Sequence, residues 1–180
     1  MIKSTKDKIL NVLSRIKILP GTFNVSGEQT RSIHDQVKIG DILLKGYKRY
    51  LDCYFRCGHY HHSAIYIGGG NVAFLTETGV KIQDIISFCR CDRIIILRVY
   101  SEKYDEIVER ALRRIQQFLD VTKLYDCTFG NINHRLYSLD FIDMCYKELN
   151  FIRTNNKLSG ISFLENKNLE VIYGNDIQIL

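Results

Sequence analysis

The sequence predicts an α+β fold in which an antiparallel sheet packs against helices. Three observations point to it. Five short segments rich in β-branched residues follow one another between residues 39 and 100, divided by glycines. Two segments with apolar residues at helical spacing, 103–119 and 138–149, come after those strands rather than between them. A chain of 180 residues, 46% hydrophobic with a single proline, is long and apolar enough to bury a substantial core.

At the N-terminus, residues 4–19 suit a short amphipathic helix. Ile9, Val12, Leu13 and Ile16 recur at helical spacing, with Lys6, Lys8, Arg15 and Lys17 on the remaining surface. Such a helix packs on the domain or lies on an anionic membrane as a peripheral contact. Its narrow stripe without an aromatic favours packing. Pro20-Gly21 ends the helix, and the polar stretch 21–36 reads as a loop or arm. The expected organisation is an N-terminal helix and arm over 1–36 and one domain over 37–180.

The strands follow at Ile39–Leu44, His62–Ile67, Asn71–Leu75, Val80–Ile82 and Ile94–Tyr100. Gly68-Gly69-Gly70-Asn71 fits a hairpin turn, because glycine tolerates positive φ. In the helix over 103–119, Ile107, Val108, Ala111, Leu112, Ile115, Phe118 and Leu119 fill one face. Glu106 with Arg110 and Glu109 with Arg113 are i,i+4 pairs in the favourable orientation, so its charge run reads as a solvated face. The helix over 138–149 turns Phe141, Ile142, Cys145 and Leu149 inward. Residues 161–180 read as a loop followed by one or two strands.

Several function classes are disfavoured. No apolar run approaches the ~20 residues that span a bilayer. Polar residues interrupt every apolar stretch from Met1 to Lys17, which leaves no core for a cleaved signal peptide. Six cysteines in such a chain read as free thiols of a reducing compartment, and cytoplasm is the expected location. It would be host cytoplasm if the chain is an effector or a viral protein. The net charge of +5 is scattered, without the basic footprint of a nucleic-acid binder.

Two positions suit chemistry. His62 opens a strand, where a pocket can reach an imidazole that passes protons near neutrality. Ser138 begins a buried helix, whose first N–H groups favour a developing anion. Each also has a plain structural reading: a strand-end histidine and a helix cap.

Taken together, "GDILL" (40–44), "HHSAIYIGGGNVAFLTETGVKI" (61–82), "LYDCTF" (124–129) and "LYSLDFIDMCY" (136–146) resemble the permuted branch of the NlpC-type papain-like cysteine hydrolases. These are the YiiX/YaeF-like proteins, kin to lecithin–retinol acyltransferase and including poxvirus members. Gly40-Asp41-Ile42 matches the family's first strand. His62, Ile65, Tyr66 and Gly68 match its histidine motif, Gly79-Val80 the next strand, and Tyr125-Asp126 a turn. Tyr137-Ser138-Leu139-Asp140-Phe141 aligns with the nucleophile motif. The resemblance implies a permuted papain-like domain without a cofactor. It implies His62 as base, position 138 as nucleophile, and Tyr66, Tyr137 and Asp41 as substrate-binding residues.

Two departures stand out. The family's nucleophile is cysteine, and this chain has Ser138. The family's glutamate after the hairpin aligns with Phe74, which leaves Glu77 as the nearby group to orient the histidine. Ser138 fits an engineered Cys→Ser exchange, a binding-only descendant, or a true serine nucleophile; Cys127 reads as an ordinary buried thiol ahead of a stand-in nucleophile. The implied activity is acyl transfer: an amidase or peptidase, or a hydrolase or transferase of lipid esters and thioesters. A rival from another class is a zinc-stabilised binding module. It would use Cys53, Cys57, His59 and His61, joined by Cys89 and Cys91.

Overall fold

The computed structural model describes residues 23–48, 60, 62–76, 79–124, 138–153 and 158–175, with side chains of the long helix described through residue 120. The helix expected over 4–19 lies outside them. Six strands form one antiparallel sheet: β1 (Ile42–Gly46), β2 (His62–Gly68), β3 (Asn71–Thr76), β4 (Gly79–Asp84), β5 (Arg93–Val99) and β6 (Leu169–Gly174). Their order across the sheet is β4-β3-β2-β1-β5-β6. β1 is central, with Ile42 opposite Ile65 on one side and Leu97 on the other. The β2–β3 turn has φ of 92°, 60° and 74° at Gly68, Gly69 and Gly70. The Gly70 N–H donates to Tyr66 Oη at 3.0 Å and fastens that turn.

Both faces of the sheet are covered. Ile42, Leu44, Ile65, Ala73, Ile95 and Leu97 point to one face and pack with α3 (Tyr104–Leu124) and α4 (Ser138–Cys145). Leu43, Ala64, Tyr66, Val72, Ile94 and Ile96 point to the other, with α1 (Gly27–Gln36) and α2 (Ile85–Phe88). Two-sided burial is why β1, β2 and β5 read as continuous apolar runs rather than as alternating ones. The segment α5 (Gly160–Leu164) adds Phe163 to the first face, where its ring lies 4.3 Å from that of Phe151.

Several expectations need correction. The stretch 21–36 is no arm over its second half: Ser26 and Gln29 form a capping box that starts α1. Ile33 is fully buried and the Val25 N–H donates to Cys91 O, so these residues pack as part of the sheet's own domain. One buried residue in ten gave α1 no apolar stripe to read. The first strand begins at Ile42, because Gly40 turns the chain at φ 92°. The helix expected over 138–149 ends at Cys145 and continues as a 3₁₀ turn over Lys147–Leu149. α5 stands where a loop was expected, and Asp84 caps the unexpected α2.

Candidate functional site

β2 and β3 pair only from Ile65↔Ala73 to their turn. Beyond that point β2 stays with β1 to Lys45↔His62, and β3 stays with β4 to Thr76↔Gly79. The two strands therefore part at Ser63, and the N-terminus of α4 fills the gap. The Ser63 N–H donates to Ser138 Oγ at 3.2 Å, and Ser63 Oγ donates to the Ser138 carbonyl. A buried strand N–H needs a partner, and the first residue of α4 supplies one. Leu139, Phe141, Ile142 and Cys145 hold the helix there from below, with the Phe141 ring 5.9 Å from Phe118.

The peptide nitrogen that meets Ser138 Oγ is the one joining His62 to Ser63. The His62 Cα is two covalent bonds from that nitrogen. His62 is exposed, and its ring packs edge-on against Tyr47 with centroids 5.7 Å apart. By the alternation of β2, His62 shares the parity of Ala64 and Tyr66, so its side chain leaves the strand on the side of Tyr47, while Ser63 and Ile65 turn towards α4. Lys45 lies opposite His62 across the strand pair. Its ammonium sits 4.1 Å over the Phe88 ring and donates to Phe88 O, and burial lowers its pKa.

The other candidates fare differently. Asp41, expected to bind substrate, is fully buried and takes two bonds from Arg98, at 2.8 and 2.7 Å, and one from the Lys38 N–H. It is an internal counter-ion that anchors β1 to β5. Tyr66, expected to line a cleft beside Ser138, is buried on the opposite face of the sheet, with its hydroxyl on the β2–β3 turn. Strand alternation sets this: Ile65 faces α4, so Tyr66 faces away. Phe74 stacks on Phe88 at 6.2 Å. Glu77, Tyr137, the Tyr125-Asp126 turn, Cys127, Cys53, Cys57, His59 and His61 lie outside the described residues.

Three thiols are placed. Burial pushes Cys89, Cys91 and Cys145 each up to about 12, which keeps them protonated and poorly nucleophilic. Among the described residues no group of three or more His, Cys, Asp and Glu side chains is placed to hold a metal. Reading the sequence missed Ser63, although a lone small polar residue inside an apolar strand was a signal. Tyr47 and Arg98 carried none.

A family model matches residues 36–173, most of the chain, and describes a permuted papain-like amidase enzyme, YaeF/YiiX, of the C92 family. The chain belongs to that family. No curated protein and no solved structure gave a match. Membership fits the order of the elements: the strand opened by His62 comes before the helix opened by Ser138, and an antiparallel sheet separates α3 and α4 from α1 and α2. Papain-like amidase membership carries hydrolase chemistry of the cysteine type.

Proposed function

We propose that the parting of β2 and β3 is an acyl-transfer site, with His62 as the base and residue 138 as the nucleophile. The observation that supports this most is the contact of the His62–Ser63 peptide with Ser138 Oγ. His62 takes the proton from the side chain at 138, and the freed oxygen (or sulfur, in a cysteine form) attacks a carbonyl carbon. The carbonyl oxygen becomes an anion, to which N–H groups of the first turn of α4 donate. The tetrahedral adduct then expels its amine or alcohol, which leaves with the proton from His62. Water adds to the acyl-enzyme by the same route in reverse, releasing the acid and restoring the hydroxyl.

Amides are the favoured substrates, since the family is an amidase family. Acyl esters and thioesters follow the same course. Serine at 138 makes this chain a slow enzyme or a binding descendant, because a hydroxyl is far harder to ionise than a thiol of pKa ~8.5. Glu77 is the proposed orienting group for His62, and Tyr137 the proposed aromatic wall.

An electrophilic acyl probe tests the proposal. The Ser138→Cys variant labels at residue 138, the chain as it stands labels at least about 100-fold more slowly, and adding His62→Ala abolishes labelling. Absence of label on the cysteine variant at 138 would remove the proposed reaction.

A further inference from the structure

A groove of about 590 Å³ lies on the α1/α2 side of the sheet, across it from Ser138. That is the size of a small-molecule site. Phe23, Val25, Ile86 and Cys89 give it an apolar floor, and Arg31, His34 and Arg90 stand around it. Ile86 is 62% exposed there, an apolar side chain on the outer side of a short helix.

The charges of the groove are out of balance. Elsewhere Arg98, Arg110, Arg113, Arg114 and Arg153 each hold a carboxylate. Among the described residues Arg31 and Arg90 hold none, and no acidic residue lines the groove. His34 lies 3.6 Å from Asp35, which takes no part in the lining. The guanidinium of Arg90 rests 5.9 Å from the centre of the Phe23 ring, so the cation is held at the apolar wall. Residues 1–22, which precede Phe23 in the sequence, carry Lys3, Lys6, Lys8, Arg15 and Lys17 against Asp7 alone, a net positive charge.

We propose that this groove binds an anionic amphiphile. A carboxylate or phosphate head is taken by Arg31 and Arg90, and an aliphatic or aromatic body lies on Phe23, Val25 and Ile86. Two guanidiniums without a carboxylate among the described residues, beside apolar surface, satisfy an oxyanion by forked hydrogen bonds while the floor buries its tail. The size of the groove favours a small ligand over an acidic helix, which needs a longer track of anchors. The site is separate from residue 138, since the whole sheet lies between them.

Calorimetric titration of the full chain tests this with dodecanoate, dodecyl phosphate, dodecyl maltoside, acetate, inorganic phosphate and an acidic amphipathic peptide. Both dodecyl anions bind, and their relative strength identifies the preferred head. The neutral maltoside and the tailless anions do not bind. Arg31→Glu and Arg90→Glu each weaken binding by about tenfold or more, and Ile86→Asp does the same. Arg113→Glu, on the far helix, changes nothing. All four positions are exposed, and unchanged thermal midpoints show that the variants remain folded. Equal binding of the maltoside, indifference to both charge reversals, or binding of an acidic amphipathic peptide without binding of either dodecyl anion overturns the proposal.

Discussion

Gly40 is held at φ 92°, and a Cβ built on it would lie 2.5 Å from Val108 Cγ2 and 3.2 Å from the Tyr146 hydroxyl. The same hydroxyl donates to the Gly40 carbonyl, so backbone and side chain meet here without room for a methyl group. Gly40→Ala is expected to cost about 3 kcal/mol, from the strained φ and the overpacking together. Urea unfolding with an unchanged slope measures it. The next residue, Asp41, carries a different load. Its carboxylate is fully buried on Arg98, and deleting one partner leaves the other charge unmatched. Asp41→Ala is expected to cost about 3–5 kcal/mol, and Asp41→Leu with Arg98→Met to recover much of that loss. A double-mutant cycle on thermal unfolding checks it. The Gly40-Asp41 pair is thus a joint between β1, β5 and α3 that holds the sheet.

At the scale of elements, α4 is fixed at both ends. Its first residue fills the parting of β2 and β3, and Arg114 from α3 holds its last turn by donating to Cys145 O at 2.6 Å. The same guanidinium forks onto Glu148 at 2.8 and 2.9 Å, and holds that carboxyl down to about 2. Glu148 is ordinarily protonated near 4.5, so the pair adds stability above that pH and loses it as the pH falls from about 4.5 towards 2. Glu148→Gln is therefore expected to lower the thermal midpoint at pH 7 and to match the parent chain near pH 2. A gap that does not narrow on acidification contradicts the ion pair. The i,i+4 pairs Glu106–Arg110 and Glu109–Arg113 form as their spacing predicts, at 3.0 and 2.6 Å. Arg114 shows what spacing cannot: a residue on a charged face reaching a partner 34 positions away. Strands with β-branched runs and the long helix were legible because their signals are local and repeated. α1 and α5 were not, since each is short and held by capping and one or two buried side chains. Of the site, the approach of the His62 strand to the Ser138 helix followed from the motif order. The burial of Asp41 on Arg98 and the turn of Tyr66 away from α4 were not legible, because a motif does not say what a side chain packs against.

The whole molecule is a sheet that divides two environments. On one side α3 and α4 bring residue 138 to a gap between strands; on the other, α1 and α2 frame a cationic groove. Among the described residues no helix is long and apolar enough to cross a membrane. The family is that of permuted papain-like amidases, and the proposed chemistry requires the His62 imidazole, now against Tyr47, to reach residue 138. The most direct test is the pH dependence of alkylation at residue 138 in the Ser138→Cys variant, followed by peptide mass mapping. A thiol paired with His62 at a helix start ionises well below the ordinary value of ~8.5, and His62→Ala returns it towards that value. A thiol at 138 that titrates near 8.5 with and without the imidazole contradicts the pairing, and with it the account of this site.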